Sequence, residues 1–284
     1  MSIRFFPSLV LYSVITMLCI LIAIPSSYCD EDELYAACNR PYTCGQQIRD
    51  MWYPFWGNNI RPQYCGRQGF ELKCNDNQNS TILFGDQSFQ VLNINMLAQK
   101  MIIARNDLLD SLCSAGMLEE TIINHNLFSY GPNVRNISLF FACSGELSSL
   151  GQNNFSCTTI RGDTISGFYI INGDSLLQNR SNSCKKVIKV PFLKTDDLPV
   201  NNTNDLLAGR VTEVLKRGFE VEYRADNASC SNCLSSLGIC GSNQSSEQFV
   251  CLCRDQPHTR TCPSGNGSNL KLKLGIGNIP TSLF

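Results

Sequence analysis

Sixteen cysteines in 284 residues offer the most chemistry in this chain, and their spacing allows two kinds. Cys230 and Cys233, then Cys240, Cys251, Cys253 and Cys262, have the C-x-x-C and C-x-C intervals of a thiolate metal site. The same intervals suit short loops closed by disulfides. Cys38, Cys44, Cys65 and Cys74 form a second group, and Cys113, Cys143, Cys157 and Cys184 are spread between the two. The N-terminus weighs on the choice. Arg4 precedes an apolar run from Leu9 to Ile24, followed by the small polar stretch Pro25 to Cys29. Basic, apolar, then small and polar is the order of a secretory signal. The run is short for a bilayer core, which needs roughly 20 residues. Residues 1–29 are therefore read as a signal peptide cleaved after Cys29. Its loss takes Cys19 and Cys29, and sixteen less two leaves an even number that can all pair. An exported chain holds cysteines as bridges far more often than as metal ligands, so no metal and no cofactor are expected.

Catalytic arrangements are hard to assemble. His125 and His258 are the only histidines, both in polar sequence without a recognisable orienting partner and nucleophile. There is no G-x-S-x-G elbow, and Asp196-Asp197 lies in a polar stretch and reads as solvated. A glycine-rich phosphate loop, H-R-D-L and D-F-G are all missing from these residues, and Gly275-Ile276-Gly277 is too short to serve as the first. With 17% charged residues and a net charge of −1, nucleic acid is not an expected partner.

The elements that would carry the cysteines are mainly strands. Phe70, Leu72 and Cys74 alternate, as do the residues around Val91, with Gly85-Asp86 as the hairpin turn between two runs. Ile137 to Phe141, Phe168 to Ile171, Val187 to Phe192, and Phe219, Val221, Tyr223 read as further strands. One short helix is expected near 204–217: Thr203, Asn204 or Asp205 would cap it and Gly218 would end it in the left-handed conformation. The acidic Asp30 to Glu33 reads as a mobile mature terminus. The fold class is thus mainly β and disulfide-rich, in two small β modules. N-x-S/T sequons at Asn79, Asn136, Asn154, Asn179, Asn201, Asn227, Asn243 and Asn266 are glycan acceptors if the chain is exported.

Two stretches carry a family resemblance. The first is C-G, then Tyr53-Pro54-Phe55-Trp56, then C-G-x-x-G-F-x-L-x-C ending at Cys74. It resembles the galacturonan-binding module of plant wall-associated receptor kinases, most nearly the leaf-rust-resistance type. The second, Lys216-Arg217-Gly218-Phe219-Glu220-Val221-Glu222-Tyr223 leading into the last six cysteines, is similar to the C-terminal cysteine-rich module of that family. Expected boundaries are 30–105 for the first module, 106–193 for a β-rich middle region, 194–263 for the C-terminal module and 264–284 for a juxtamembrane-like tail. The last six cysteines also follow the order of an epidermal-growth-factor module, which implies Cys230–Cys240, Cys233–Cys251 and Cys253–Cys262.

The resemblance implies a non-catalytic extracellular ectodomain that binds pectin-type polygalacturonate in the apoplast. Its longer relatives are serine/threonine kinases anchored by a single membrane span, so a membrane enters only in a longer form. Uronate carboxylates suit the planar arginine fork, which makes Arg40, Arg49, Arg61, Arg67 and Lys73 candidates, with Trp52 and Trp56 as stacking faces. Trp52 and Trp56 equally suit a core. Two other readings stand beside this one: a module that recognises a secreted peptide or protein, and a secreted defence-related decoy or inhibitor.

Overall fold

The computed structural model describes residues 13–17, 31–57, 60–75, 79–109, 112, 119–144, 154–158, 162, 164–171, 184–194 and 211–263. Expectations for Cys113, Asn179, Asn201, Asn266, the tail after 263 and nearly all of the signal peptide lie outside these residues, as does the side chain of Cys157. No helix among the described residues is long and apolar enough to cross a membrane.

The chain is mainly β and disulfide-rich. Strands β3 (Lys73–Asn75), β4 (Asn79–Phe84), β5 (Gln87–Asn95) and β6 (Lys100–Arg105) form an antiparallel meander. Alternation produces it: Phe89 and Val91 of β5 point inward while Gln90 stays half-exposed. Gly85 turns the β4–β5 hairpin at φ 59°. The sheet does not stop at β6. Strand β12 (Phe219–Tyr223) pairs with β6, placing Phe219 opposite Ile103, and β7 (Phe128–Tyr130) pairs with β12 at the far edge. A strand expected in the C-terminal module thus completes the sheet of the first. Gly218 permits the junction. Its φ is +73°, and a Cβ there would sit 2.3 Å from the Ile103 carbonyl oxygen. The core beneath this sheet is aromatic: Phe70 touches the rings of Phe55, Phe128 and Tyr223.

A second antiparallel sheet has the order β11 (Cys184–Leu193), β8 (Val134–Cys143), β10 (Thr164–Ile171), β9 (Asn154–Thr158). Leu139, Tyr169, Ile188 and Val190 face its core, which Val211, Val214 and Leu215 of the helical segment 211–216 cover. That segment is the described part of the helix expected near 204–217.

Two more short helices appear that the residue pattern did not suggest. Glu33–Cys38 is helix α1, because the Asp32 carboxylate accepts from the amides of Leu34 and Tyr35. The acidic terminus is therefore a helix cap rather than a mobile tail. Asn227–Ser235 is helix α2, which displays Cys230 and Cys233. A hairpin of β13 (Ile239–Ser242) and β14 (Phe249–Leu252) follows it. A smaller hairpin, β1 (Tyr42–Cys44) and β2 (Ile48–Met51), precedes the aromatic stretch.

Among the described residues six bridges lock these pieces: Cys38–Cys65, Cys44–Cys74, Cys143–Cys184, Cys230–Cys240, Cys233–Cys251 and Cys253–Cys262. The last three are the same pairs that the growth-factor-like order implies. Cys251, Cys253 and Cys262 do lie close enough to hold a metal ion, but each sulfur is already bonded to another sulfur and offers no thiolate.

Candidate functional site

The first module and the terminal cysteine-rich hairpin are fused along one seam. Tyr35, Cys38 and Cys65 pack with Ile239 and Leu252, and Tyr53 shares a buried cluster with Cys233, Cys240, Cys251 and Cys253. Polar contacts join the same surfaces. The Tyr53 hydroxyl donates to Asp226 at 2.8 Å, and Arg67 donates to the same carboxylate oxygen at 3.1 Å. Burial, reinforced by that carboxylate, pushes the Tyr53 hydroxyl far above the usual tyrosine range, so it stays a donor at every physiological pH.

A groove of about 980 Å³ opens beside the seam. Trp52, Tyr53, Tyr35 and Asn39 line it from the first module, and Leu234, Leu237, Arg254 and Asp255 from the other side. Its walls are largely apolar. Trp52 is 39% exposed, and the guanidinium carbon of Arg61 lies 5.4 Å from its ring centroid, so a buried cation supports the indole from beneath. Leu237 is 84% exposed although its backbone is left-handed, at φ 64°. A β-carbon carries a steric penalty in that region, so an exposed leucine gains nothing locally from being there. Among the described residues, no sequon asparagine lines the groove.

The rim carries both signs of charge. The Arg254 guanidinium stands 5.8 Å from the Tyr35 ring and 3.6 Å from Glu31. A hydrogen bond from His258, at 3.0 Å, holds Asp255 below the ordinary carboxylate range, so it is ionised at neutral pH.

The residues singled out from sequence do not form one cluster. Arg40, Arg49 and Lys73 are exposed, as a surface contact requires. Lys73 lies apart, in a small cleft with Glu71 and Ile60. Arg40 follows the groove-lining Asn39 directly in the chain. Arg67 is half-exposed but committed to Asp226 across the seam.

Two candidates are corrected outright. Trp56 is buried at 7% exposure, and its indole N–H donates to the Arg67 carbonyl at 2.9 Å, so it is core and not a stacking face for sugar. Gly66 lets it lie there, since a Cβ at Gly66 would meet the Trp56 ring at 2.5 Å. Arg61 is fully buried, with 0% exposure. It donates to the carbonyls of Cys38 at 2.6 Å, of Cys65 at 2.9 Å, and of Arg40. Cys38 ends α1 and Cys65 ends a single helical turn, so these are carbonyls without helical partners, which one fork satisfies together. Burial lowers the Arg61 pKa to about 10, and the residue remains charged at neutral pH. It clamps the Cys38–Cys65 loop from behind the groove wall, with its fork committed to backbone carbonyls.

Arg254, Tyr35 and Leu237 are groove residues that the sequence reading passed over. The available signal was Arg254 following the bridged Cys253 directly, just past the end of β14.

This arrangement defines a class: disulfide-stapled β modules fused along a seam, with a largely apolar groove beside it. Comparison with known proteins identifies the kind. Residues 38–105 match the family model described as wall-associated receptor kinase galacturonan-binding, and residues 156–256 match the one described as wall-associated receptor kinase C-terminal. The chain therefore carries the two ectodomain modules of wall-associated receptor kinases, and neither is a kinase domain.

Among curated proteins it is similar to the leaf rust 10 disease-resistance locus receptor-like protein kinase-like protein 2.1 of Arabidopsis thaliana, at 29% identity over 92% of this chain and 40% of the relative. The protein numbered 1.2 in that series, also from Arabidopsis thaliana, is 27% identical over 89% of this chain and 39% of its own length. The chain thus spans about two-fifths of the length of these relatives. No solved structure matches it.

Proposed function

We propose that this chain is an extracellular ectodomain that binds acidic cell-wall polysaccharide of the polygalacturonate type, with Trp52 at the groove mouth as the stacking face. The observation that carries the reading is the match of residues 38–105 to the galacturonan-binding module. The groove geometry supports it. An indole held by a buried cation, beside exposed Arg254 and near Arg40, pairs an apolar platform for a sugar face with forked donors for its carboxylate. Bridges throughout both modules and sequons on the surface agree with export to the apoplast.

Defined de-esterified oligogalacturonides titrated against the secreted chain test this reading. Trp52→Ala should weaken binding about tenfold, or about 1.4 kcal/mol, with the unfolding midpoint unchanged. Arg40→Ala with Arg254→Ala should weaken it further at low salt and flatten its salt dependence. The peptide-receptor and decoy readings instead expect no response to any oligogalacturonide, from the wild type or the variants.

A further inference from the structure

The outer face of the four-stranded sheet carries a row of side chains that runs from a buried phenylalanine to a half-exposed one. Leu139, Tyr169 and Ile188 point into the core, so their chain neighbours Phe140, Phe168 and Val187 point away from it. Val187 stands directly opposite Phe140, Phe140 opposite Phe168, and Phe168 opposite Asn154. The four form one line across β11, β8, β10 and β9. The two phenylalanine rings stack 4.5 Å apart and within 4° of parallel. Phe140 is itself buried, at 5% exposure, whereas Phe168 at the outer end of the stack remains half-exposed.

Asn154 closes the row on the edge strand, and Asn154-Phe155-Ser156 is a sequon. Phe155 is buried in the core on the opposite face, which fixes the direction in which Asn154 stands. Other described sequons lack this setting. Asn79 pairs with Asn75, Asn136 with Pro191, Asn227 begins α2, and Asn243 lies in the turn after β13.

We propose that Asn154 carries an N-linked glycan whose first sugar packs on Phe168, so that the exposed part of this ring is covered by the chain's own glycan. The inference rests on the reading of the chain as exported. Directly opposed residues on antiparallel strands have Cβ atoms about 4.5–5.5 Å apart, so a sugar ring joined to the asparagine side chain spans to the neighbouring ring. Its C–H face removes from water the aromatic surface that the sheet leaves open.

The test uses the full chain secreted from a eukaryotic host. Glycopeptide mass spectrometry is expected to find Asn154 occupied. Ser156→Ala and Asn154→Gln, which abolish the sequon by different routes, should each lower Tm by about 3 °C. Ser245→Ala, which removes the Asn243 sequon, should leave Tm within about 1 °C. Trimming the glycans to the first sugar should preserve the stability, and in a Phe168→Ala background Ser156→Ala should have no further effect. A bare Asn154 beside occupied Asn227 or Asn243 overturns the inference and leaves export standing. A chain without sugar at any sequon overturns both. An occupied Asn154 whose loss leaves Tm unchanged overturns the packing.

Discussion

Arg61→Ala is expected to lower the unfolding midpoint of the secreted chain by about 10 °C, with a loss near 3–5 kcal/mol. The substitution leaves the carbonyls of Cys38, Arg40 and Cys65 buried without donors and opens a cavity behind Trp52. Arg61→Lys should recover only part of the loss, because an ammonium cannot present the planar fork that reaches three carbonyls at once. Differential scanning calorimetry of the two variants measures it. A ligand-contacting arginine would behave in the opposite way, with an unchanged midpoint and weakened sugar binding.

Gly238→Ala is expected to collapse the yield of correctly bridged protein. A Cβ at position 238 would lie 2.4 Å from the Cys251 sulfur and 2.7 Å from those of Cys233 and Cys262. These sulfurs belong to two different bridges, Cys233–Cys251 and Cys253–Cys262, so no single side chain can swing aside to make room. Overpacking of this kind ordinarily costs about 1–3 kcal/mol, and displacing two bridges together puts this case at the upper end. Non-reducing peptide mapping is the readout: the variant should show free thiols or mispaired bridges among the last six cysteines, whereas Ser236→Ala should not.

Much of the strand pattern could be read in the residues. Alternation around Val91 gave β5, and Gly85-Asp86 gave its hairpin, because both signals are local. The order of the last six cysteines pointed to three pairs only through a family likeness, since pairing depends on which loops meet in space. The insertion of β12 beside β6 joins Phe219 to Ile103, and no local pattern encodes such a partner. Helix α1 was hidden because Asp32 is acidic in a stretch that resembles a frayed terminus; only its bonds to two amides reveal a cap.

The site was less legible than the fold. Arginine is almost never fully buried, so Arg61 read as a surface cation. Its place in Arg61-Pro62-Gln63-Tyr64-Cys65, inside the loop that Cys38–Cys65 closes, was the one local hint of a structural role. Trp52 and Trp56 looked equivalent by type, yet one is an exposed wall of the groove and the other donates to a backbone carbonyl in the core. Arg254 and Leu237 carry no such local signal, because the groove joins segments some two hundred residues apart and from two different modules.

The central claim, that this ectodomain recognises the carboxylates and sugar faces of polygalacturonate at the groove mouth, is tested most directly by isothermal titration calorimetry with two matched ligands. One is a de-esterified oligogalacturonide of defined length, and the other is the same oligomer fully methyl-esterified. Saturable binding of the first, weakened by added salt, is expected, with little or none of the second. Equal binding of the two, or no heat from either, would contradict it.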